Sequence, residues 1–273
     1  MTTEIVDRVL RSTRYRDVDR AVIDRLANEE LVRARNVDDA VKRVKRRLHQ
    51  AVGAFRGAAR PGMGAIETVW RGDFGDRAFR AACTEALRQH ASTRERLPHL
   101  DAFFGAIWER TDGPPSRLLD VGCGLGPLAL PWMGLPCDAT YLAIDADHRP
   151  LHTVEAFLRL VGQPHRADAR DVVSSPPTDV ADVALLLKLV TTLDRQDPDA
   201  ATRLLRTLRV RHAVVSFTAR TLGGRAGRAG GMARTYRTRF ERLVVDAGRV
   251  RDVAEVAVPN ELVFVLALEP PRA

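Results

Sequence analysis

The stretch LLDVGCGLGPLALPWM, from Leu118 to Met133, constrains the fold of this chain more than any other segment. Its three glycines follow a short apolar run and precede a segment that predicts a helix from about Pro127, because proline fits the first turn of a helix. Glycine lets the backbone turn tightly and lets a ligand approach it closely. The stretch therefore predicts a strand, a tight turn and a helix, with a ligand site at the turn.

Short apolar runs alternate with amphipathic segments after the breaker TDGPPS at residues 111–116. The predicted strands are RLLDV, TYLAID, PHRADARDV, ADVALLLKLV and HAVVSF, and the predicted helices lie near residues 127–134, 148–161, 198–209 and 232–247. This alternation predicts an α/β fold, with a mostly parallel sheet covered by helices on both faces. Two final apolar runs joined by Pro259 and Asn260 predict a hairpin, so the last strand is expected to be antiparallel. That order is typical of the Rossmann-like class I methyltransferases.

The first 110 residues predict a helical N-terminal domain, and residues 111–273 a second, catalytic domain. Apolar residues recur at helical spacing in three short segments up to Gln50 and again from Asp76 to about Arg110. Between them, the glycine-rich residues 53–75 predict a loop with one short helical piece.

The glycine turn reads D-x-G-x-G-x-G, with Asp120, Gly122, Gly124 and Gly126. The dinucleotide fingerprint is G-x-G-x-x-G, so the closer third glycine favours S-adenosylmethionine (SAM). Taken alone, such a turn could also serve NAD or bind no ligand.

Two acidic residues at later strand ends complete the predicted cofactor site. Asp145 lies where a carboxylate accepts hydrogen bonds from ribose hydroxyls, although an Asp there could instead cap a helix. Asp171 is predicted to accept from the adenine amino group, with Asp168 as the alternative, and either could be only a cap or a surface charge.

The net charge of +8 is unevenly distributed, because both ends of the chain are basic and residues 111–200 are acidic. Basic ends suit a protein that grips a polyanion, although a GC-rich genome would also enrich arginine. In VKRVKRRLHQ, one helical face carries the candidate RNA contacts Lys42, Lys45, Arg46 and His49. A solvated basic helix is the alternative. The loop TARTLGGRAGRAGGMARTYRTR adds the candidates Arg220, Arg225 and Arg228, and its glycines predict mobility until it meets RNA.

Several classes of protein and site are not expected. No apolar run approaches the roughly 20 residues of a membrane helix, and the polar start lacks a secretory signal, so we expect a cytoplasmic protein with no membrane partner. Cys83, Cys123 and Cys137 have neither C-x-x-C spacing nor a histidine partner, so no metal site is predicted.

Four segments together resemble a known family. HASTRERLPHLDAFF, LLDVGCGLGPLALPWM, DVALLLKLVTTLDRQ and VVSFTARTLGGRAGRAGGMARTYRTRFERLV resemble, in this order, the aminoglycoside-resistance 16S rRNA methyltransferases that modify guanine N7. The resemblance implies a SAM-dependent enzyme whose helical domain docks on the assembled 30S subunit. It also implies methylation of guanine 1405 at N7, which blocks gentamicin and kanamycin.

The resemblance also implies roles for single residues. Arg96 would hold the SAM carboxylate, Gly122 and Gly124 would lie under the methionine, and Asp145 and Asp171 would hold ribose and adenine. Lys188 resembles a family lysine that is important for RNA methylation, whereas without the family it would be interpreted as a snorkelling lysine at a strand end. The family pattern A-C-G-L-N-P is replaced by GCGLGP at residues 122–127, which changes the loop under the cofactor.

Three alternatives remain at this point: an adenine N1 16S rRNA methyltransferase, a SAM enzyme for a small molecule, and a catalytically silent RNA-binding assembly factor. The arginine-rich loop argues against the small-molecule enzyme, and the intact glycines and acids argue against the silent factor. The expected partner is 16S rRNA within the 30S subunit rather than DNA, and a single copy docking on the ribosome favours a monomer.

Overall fold

The computed structural model describes residues 1–53, 62–218 and 229–271, which form eleven α-helices and seven β-strands. The helices are α1 (Thr2–Leu10), α2 (Arg20–Leu31), α3 (Val37–Leu48), α4 (Gly64–Val69), α5 (Arg77–Arg88), α6 (Ala91–Arg94), α7 (Leu100–Trp108), α8 (His148–Leu160), α9 (Val190–Asp194), α10 (Ala200–Thr207) and α11 (Ala229–Ala247). The strands are β1 (Arg117–Val121), β2 (Thr140–Asp145), β3 (His165–Ala169), β4 (Val180–Leu187), β5 (Arg209–Thr218), β6 (Val250–Val258) and β7 (Glu261–Leu268).

Helices α1 to α3 form a unit with its own core, and residues 1–53 are called the N-terminal unit below. Side-chain caps set two of its helix starts, because Asp19 accepts from the Ala21 N–H and Asn36 from the Asp39 N–H, each at 2.9 Å. The prediction of three short helices is confirmed. Their inward faces bury one apolar cluster that includes Ile5, Ile23, Leu26, Val44 and Leu48.

Helices α4 to α7 belong to the core of the sheet. Phe79, Phe103 and Ile107 share one buried cluster with Tyr141 of β2 and Phe157 of α8. The boundary predicted at residue 110 coincides with the change from helices to strands. The apolar cores, however, divide the chain earlier, between α3 and α4. Helical periodicity shows which face of a helix is apolar but not what covers that face.

The seven strands form one sheet in the order β3-β2-β1-β4-β5-β7-β6. The pairs β1–β2, β1–β4, β2–β3 and β4–β5 are parallel, whereas β7 runs antiparallel to both β5 and β6. This confirms the predicted class, a Rossmann-like α/β fold with an antiparallel last strand. Alternate residues of the central strands reach opposite cores, since Leu118 packs in the cluster with α5 and α7, and Leu119 in the cluster with α10 and α11.

Two local elements differ from the prediction. Residues Gly126–Trp132 form a 3-10 helix rather than an α-helix over 127–134, because Pro131 lacks the N–H that the α-helical ladder needs. Helix α11 already begins at Ala229, three residues before the predicted start. Among the described residues, no helix has both the length and the apolar character that crossing a bilayer requires.

Candidate functional site

An open cleft lies at the carboxyl ends of the central parallel strands. This is the edge where open α/β sheets bind ligands, at the point where strand order reverses between β1 and β4. The walls come from the sheet and from the N-terminal unit, and include Val22, Val52, Gln89, His90, Gly122, Gly124, Asp145, Asp171, Lys188 and Gln196.

The glycine turn forms the floor of this cleft in a backbone conformation that favours glycine. Gly122 and Gly124 have φ angles of +70° and +51°. A Cβ on Gly122 would lie 2.9 Å from Leu189 Cδ1, and one on Gly124 would lie 2.9 Å from His90 Cε1. Both glycines are therefore favoured by the backbone angle, and a Cβ at either position would also have to displace the end of a neighbouring side chain.

Asp145 lies at the end of β2 and lines the cleft. Its Oδ2 accepts from the Gly124 N–H at 2.8 Å and its Oδ1 from the Asp147 N–H at 2.9 Å, which holds the carboxylate against the glycine turn. Burial raises the pKa of Asp145 to about 6, against the opposing effect of the Gly124 N–H. The cap of α8 is Asp147, whose side chain accepts from the Arg149 N–H, so Asp145 is not the helix cap.

Asp171 follows β3 and also lines the cleft, with only 3% of its surface exposed. Its carboxylate forms a bidentate ion pair with Arg25 of α2. The alternative, Asp168, pairs with Arg170 and does not line the cleft. Of the two predicted acids, the structure places Asp171 at the cleft.

Arg96 and Asp120 line a second, small cavity that shares Leu187 with the cleft. The Arg96 guanidinium makes a bidentate ion pair with Glu261 and lies 4.9 Å above the Phe103 ring. Asp120 accepts from the Tyr141 hydroxyl at 2.8 Å, and burial raises its pKa to about 7. The structure therefore brings these two predicted residues together, but does not place them in the cleft beside Asp145 and Asp171.

Lys188 lines the cleft at the end of β4 with a φ of +58°. Its N–H donates to the Ser216 carbonyl and hydroxyl at 3.1 and 3.0 Å. Its Nζ lies 2.7 Å from Glu95 Oε2 and 4.0 Å from Glu261 Oε2, and 7% of the side chain is exposed. Lys188 is thus held by the partly buried Glu95 and the buried Glu261 and does not snorkel into solvent.

The sequence alone did not identify three residues that line the cleft. His90 lies beside the glycine turn, and burial and then Lys188 lower its pKa to about 4, so the ring is neutral at pH 7. The Gln89 Oε1 is buried and is the one buried side-chain oxygen in the described part of the chain without a hydrogen-bond partner. Gln196 also lines the cleft. No local motif marks Gln89 or Gln196 as a cleft residue, and His90 is marked only as the first residue of the segment HASTRERLPHLDAFF.

The residues of the cleft fit a cationic, hydroxyl-bearing nucleoside. Asp145 and Asp171 supply carboxylate acceptors, and the unpartnered Gln89 Oε1 can accept from an ammonium group. Clusters of His, Cys, Asp or Glu that could hold a metal ion are absent from residues 1–53, 62–218 and 229–271.

The basic face of α3 is arranged as predicted. Val41, Val44 and Leu48 are buried, whereas Lys42, Arg46 and His49 are exposed and Lys45 is partly exposed. Arg43 and Arg47 on the same helix are instead paired with the buried Glu30.

The predicted arginine-rich loop is partly a helix. Arg220, Arg225 and Arg228 lie outside the described residues. Arg237 and Arg239, which the prediction also placed in the loop, lie on α11 and form bidentate ion pairs with Glu255 and Asp194. Two aromatic residues that could in principle stack on a base are engaged in the fold, since Trp108 is buried with its indole N–H bonded to the Met133 carbonyl and Tyr236 stacks on Phe217.

A family model described as ribosomal RNA methyltransferase (FmrO) matches residues 11–265. The chain belongs to this family. Members similar to it include a 16S rRNA (guanine(1405)-N(7))-methyltransferase of Frankia casuarinae, 39% identical over 96% of this chain and 94% of the relative. The enzyme of the same name from Micromonospora echinospora is 36% identical over 96% of this chain and 95% of its own length.

Solved structures are similar over almost the whole chain. The 16S rRNA methyltransferase RmtF in complex with S-adenosyl-L-homocysteine superposes with a TM-score of 0.83 at 35% identity, covering 98% of both chains. The 16S rRNA methylase RmtB gives a TM-score of 0.78 at 25% identity, covering 98% of this chain and 99% of the other. The N-terminal unit is therefore shared with these two proteins as well as the sheet.

Proposed function

We propose that this protein transfers a methyl group from SAM to N7 of guanine 1405 in 16S rRNA. The proposal rests on the match of residues 11–265 to the ribosomal RNA methyltransferase family, together with relatives at 39% and 36% identity that bear the name of this reaction. The cleft agrees with it, because the glycine turn and Asp145 lie at the sheet edge where open α/β folds bind ligands, and the similar RmtF structure is a complex with S-adenosyl-L-homocysteine.

The residues that would hold SAM come from four parts of the chain. Asp145 would accept from the ribose hydroxyls, Asp171 from the adenine amino group, and Gly122 and Gly124 would lie under the methionine. Arg96 would reach the carboxylate only by sharing its guanidinium with Glu261, because the two are paired. When bound, SAM supplies a methyl group on a positively charged sulfur.

The chemistry needs alignment rather than a general base. Guanine N7 carries a lone pair and no proton, so nothing has to be removed before it attacks the methyl carbon. The carboxylate of Asp145 favours positive charge in the cleft, both on the sulfonium before transfer and on the base afterwards.

Lys188 is the proposed catalytic residue that touches the target base. Guanine presents O6 next to N7, and an ammonium group is a suitable donor to O6. Lys188 would hold O6 and leave N7 free for the methyl group. Glu95 and Glu261 keep its ammonium at the cleft wall.

The proposed RNA contacts are Lys42, Lys45, Arg46 and His49 on α3, together with Arg220, Arg225 and Arg228. A guanine in an RNA helix must be turned out of its stack to reach the cleft, which costs a few kcal/mol of stacking and pairing energy. Contacts between these basic side chains and RNA phosphates would offset that cost. We infer that one copy docks on the assembled 30S subunit in the cytoplasm.

The test is methyl transfer from radiolabelled SAM to purified 30S subunits and, separately, to naked 16S rRNA. The proposal predicts label in 30S RNA, much less in naked RNA, and loss of label with Asp145→Asn. Asp138→Asn is the matched control, because Asp138 is exposed and lies outside the cleft. Absence of label in both RNAs would contradict the proposal.

A second consequence is drug resistance. Expression in a susceptible bacterium should raise the minimal inhibitory concentrations of gentamicin and kanamycin, which the family's modification blocks, and the Asp145→Asn variant should not. If cells with methylated 30S subunits remained susceptible to both drugs, the methylation would not be sufficient for resistance.

A further inference from the structure

The N-terminal unit is joined by its backbone to the strand end that carries Asp145. The Asp19 N–H donates to the Ala146 carbonyl at 2.8 Å, and the His148 N–H donates to the Asp17 carbonyl at 2.8 Å. Val18 and Asp147 form an antiparallel bridge between these two bonds. The unit therefore lies against the loop that directly follows Asp145.

A second junction is made by the side chain of Arg25, which projects from α2. Its Nε lies 2.6 Å from Asp171 Oδ2, and one terminal nitrogen lies 3.2 Å from Asp171 Oδ1 and 2.7 Å from Gln196 Oε1. The other terminal nitrogen lies 3.1 Å from Glu29. Only 12% of the Arg25 side chain and 3% of the Asp171 side chain are exposed, so this ion pair is shielded from solvent.

The two oxygens of Asp171 are held unequally. Oδ2 accepts the 2.6 Å bond from Arg25 and a 2.9 Å bond from the Ser174 hydroxyl. Oδ1 accepts two longer bonds of 3.2 Å, from Arg25 and from the Val173 N–H. Bonds of that length are near the outer limit for N–H donors, so Oδ1 is the oxygen on which a ligand donor would displace the weaker bonds.

We propose that Arg25 is a positioning residue of the cofactor cleft, which fixes Asp171 so that Oδ1 accepts the adenine amino group. This inference rests on the proposed function, because it assumes that the cleft takes SAM. It makes the N-terminal unit part of the cofactor site. Val22 and Gln196, which flank Arg25 in the structure, line the same cleft.

The test measures binding of two ligands to the full-length protein by titration calorimetry. S-adenosyl-L-homocysteine carries the adenine amino group, and S-inosyl-L-homocysteine has a carbonyl oxygen in its place. The variants are Arg25→Gln and Arg25→Lys, and the control is Arg20→Gln, because Arg20 starts the same helix and its side chain is 58% exposed.

The wild type is expected to bind the adenosyl ligand about tenfold or more tightly than the inosyl ligand, since a hydrogen bond to a charged acceptor contributes that much. Arg25→Gln should weaken adenosyl binding by a similar factor and leave inosyl binding nearly unchanged. The ratio of the two affinities should therefore fall toward one. Arg25→Lys should retain part of the preference, and Arg20→Gln all of it.

Three results would overturn the inference: a wild type without the preference, an Arg25→Gln protein that keeps it, and loss of folded structure in both Arg25 variants by circular dichroism. The last would make the ion pair a folding element only. A wild type that binds neither ligand would instead contradict the proposed function.

Discussion

Arg96 and Glu261, 165 residues apart, form a buried bidentate ion pair that ties the turn before α7 to the first residue of β7. Their side chains are 7% and 1% exposed, and Lys188 Nζ lies 4.0 Å from the same carboxylate. Interaction with Arg96 and Lys188 keeps the pKa of Glu261 below its usual value although burial opposes this. Glu261 thus compensates the charge of Arg96 directly and shares that of Lys188 with Glu95.

Glu261→Gln should therefore destabilise the fold strongly. Removing one partner leaves buried positive charge without compensation, which costs about 3 kcal/mol or more. Equilibrium unfolding in urea measures the change. Glu255→Gln is the matched control, because Glu255 makes the same bidentate contact to Arg237 but is 42% exposed, and surface pairs contribute about 1 kcal/mol or less. Equal losses in the two variants would contradict this account of the buried pair.

The affinity for SAM should depend on the ionisation of Asp145. Burial raises the pKa of Asp145 to about 6, so in the free protein the carboxyl group takes up a proton as the pH falls through that value. The ionised form is the better acceptor for ribose hydroxyls. Below pH 6, affinity should then fall by about tenfold per pH unit, and above about pH 7 it should level off.

Calorimetric titration between about pH 5 and pH 7 checks this pH dependence. Asp145→Asn should bind SAM weakly and without the step near pH 6. If the affinity of Asp145→Asn for SAM still changed by the same factor near pH 6, the titrating group would be another residue.

Gly124→Ala should impair both stability and cofactor binding. Gly124 has a φ of +51°, and its new Cβ would lie 2.9 Å from the His90 ring. Gly134→Ala is a close control, because Gly134 has a φ of +61° with nothing within 4 Å of the Cβ position. In both variants, backbone strain should lower the free energy of unfolding by about 1 kcal/mol, but only Gly124→Ala should weaken SAM binding. Equal SAM affinities would show that the turn tolerates the displacement of His90.

The sequence predicts those parts of the fold and site that depend on local pattern. Strand β1, the glycine turn and Asp145 follow one another within one unit, so their arrangement needs no long-range information. The parallel strands and the final hairpin can also be predicted from local sequence, because apolar runs and turn residues mark them.

The remaining features depend on contacts between distant residues. The Arg25–Asp171 pair spans 146 residues, and nothing near Arg25 distinguishes it from the other arginines of the N-terminal unit. Likewise, no pattern predicts that Arg96 pairs with Glu261, or that Arg237 and Arg239 are engaged by acids. An arginine-rich sequence predicts positive charge but not which arginines are neutralised after folding.

Lys42 and Arg46 should contribute to binding of the 30S subunit but not of SAM. Both side chains are on the exposed face of α3. Replacing both with Gln should weaken 30S binding and reduce the slope of log affinity against log salt concentration by about one per side chain. Arg159→Gln on α8 is the control, since Arg159 is 69% exposed and paired only with its neighbour Glu155 among the described contacts. An unchanged salt dependence in the double variant would exclude this face from RNA contact.

The central claim concerns one atom of one nucleotide, and chemical cleavage of the methylated RNA tests it most directly. Borohydride followed by aniline cleaves the strand at N7-methylated guanine, so primer extension on 16S rRNA from treated 30S subunits locates the modification. The account predicts one new stop, at guanine 1405, that requires both the protein and SAM. Incorporated methyl groups without scission at that guanine would contradict it, and a label on a nearby adenine would instead indicate the N1 reaction.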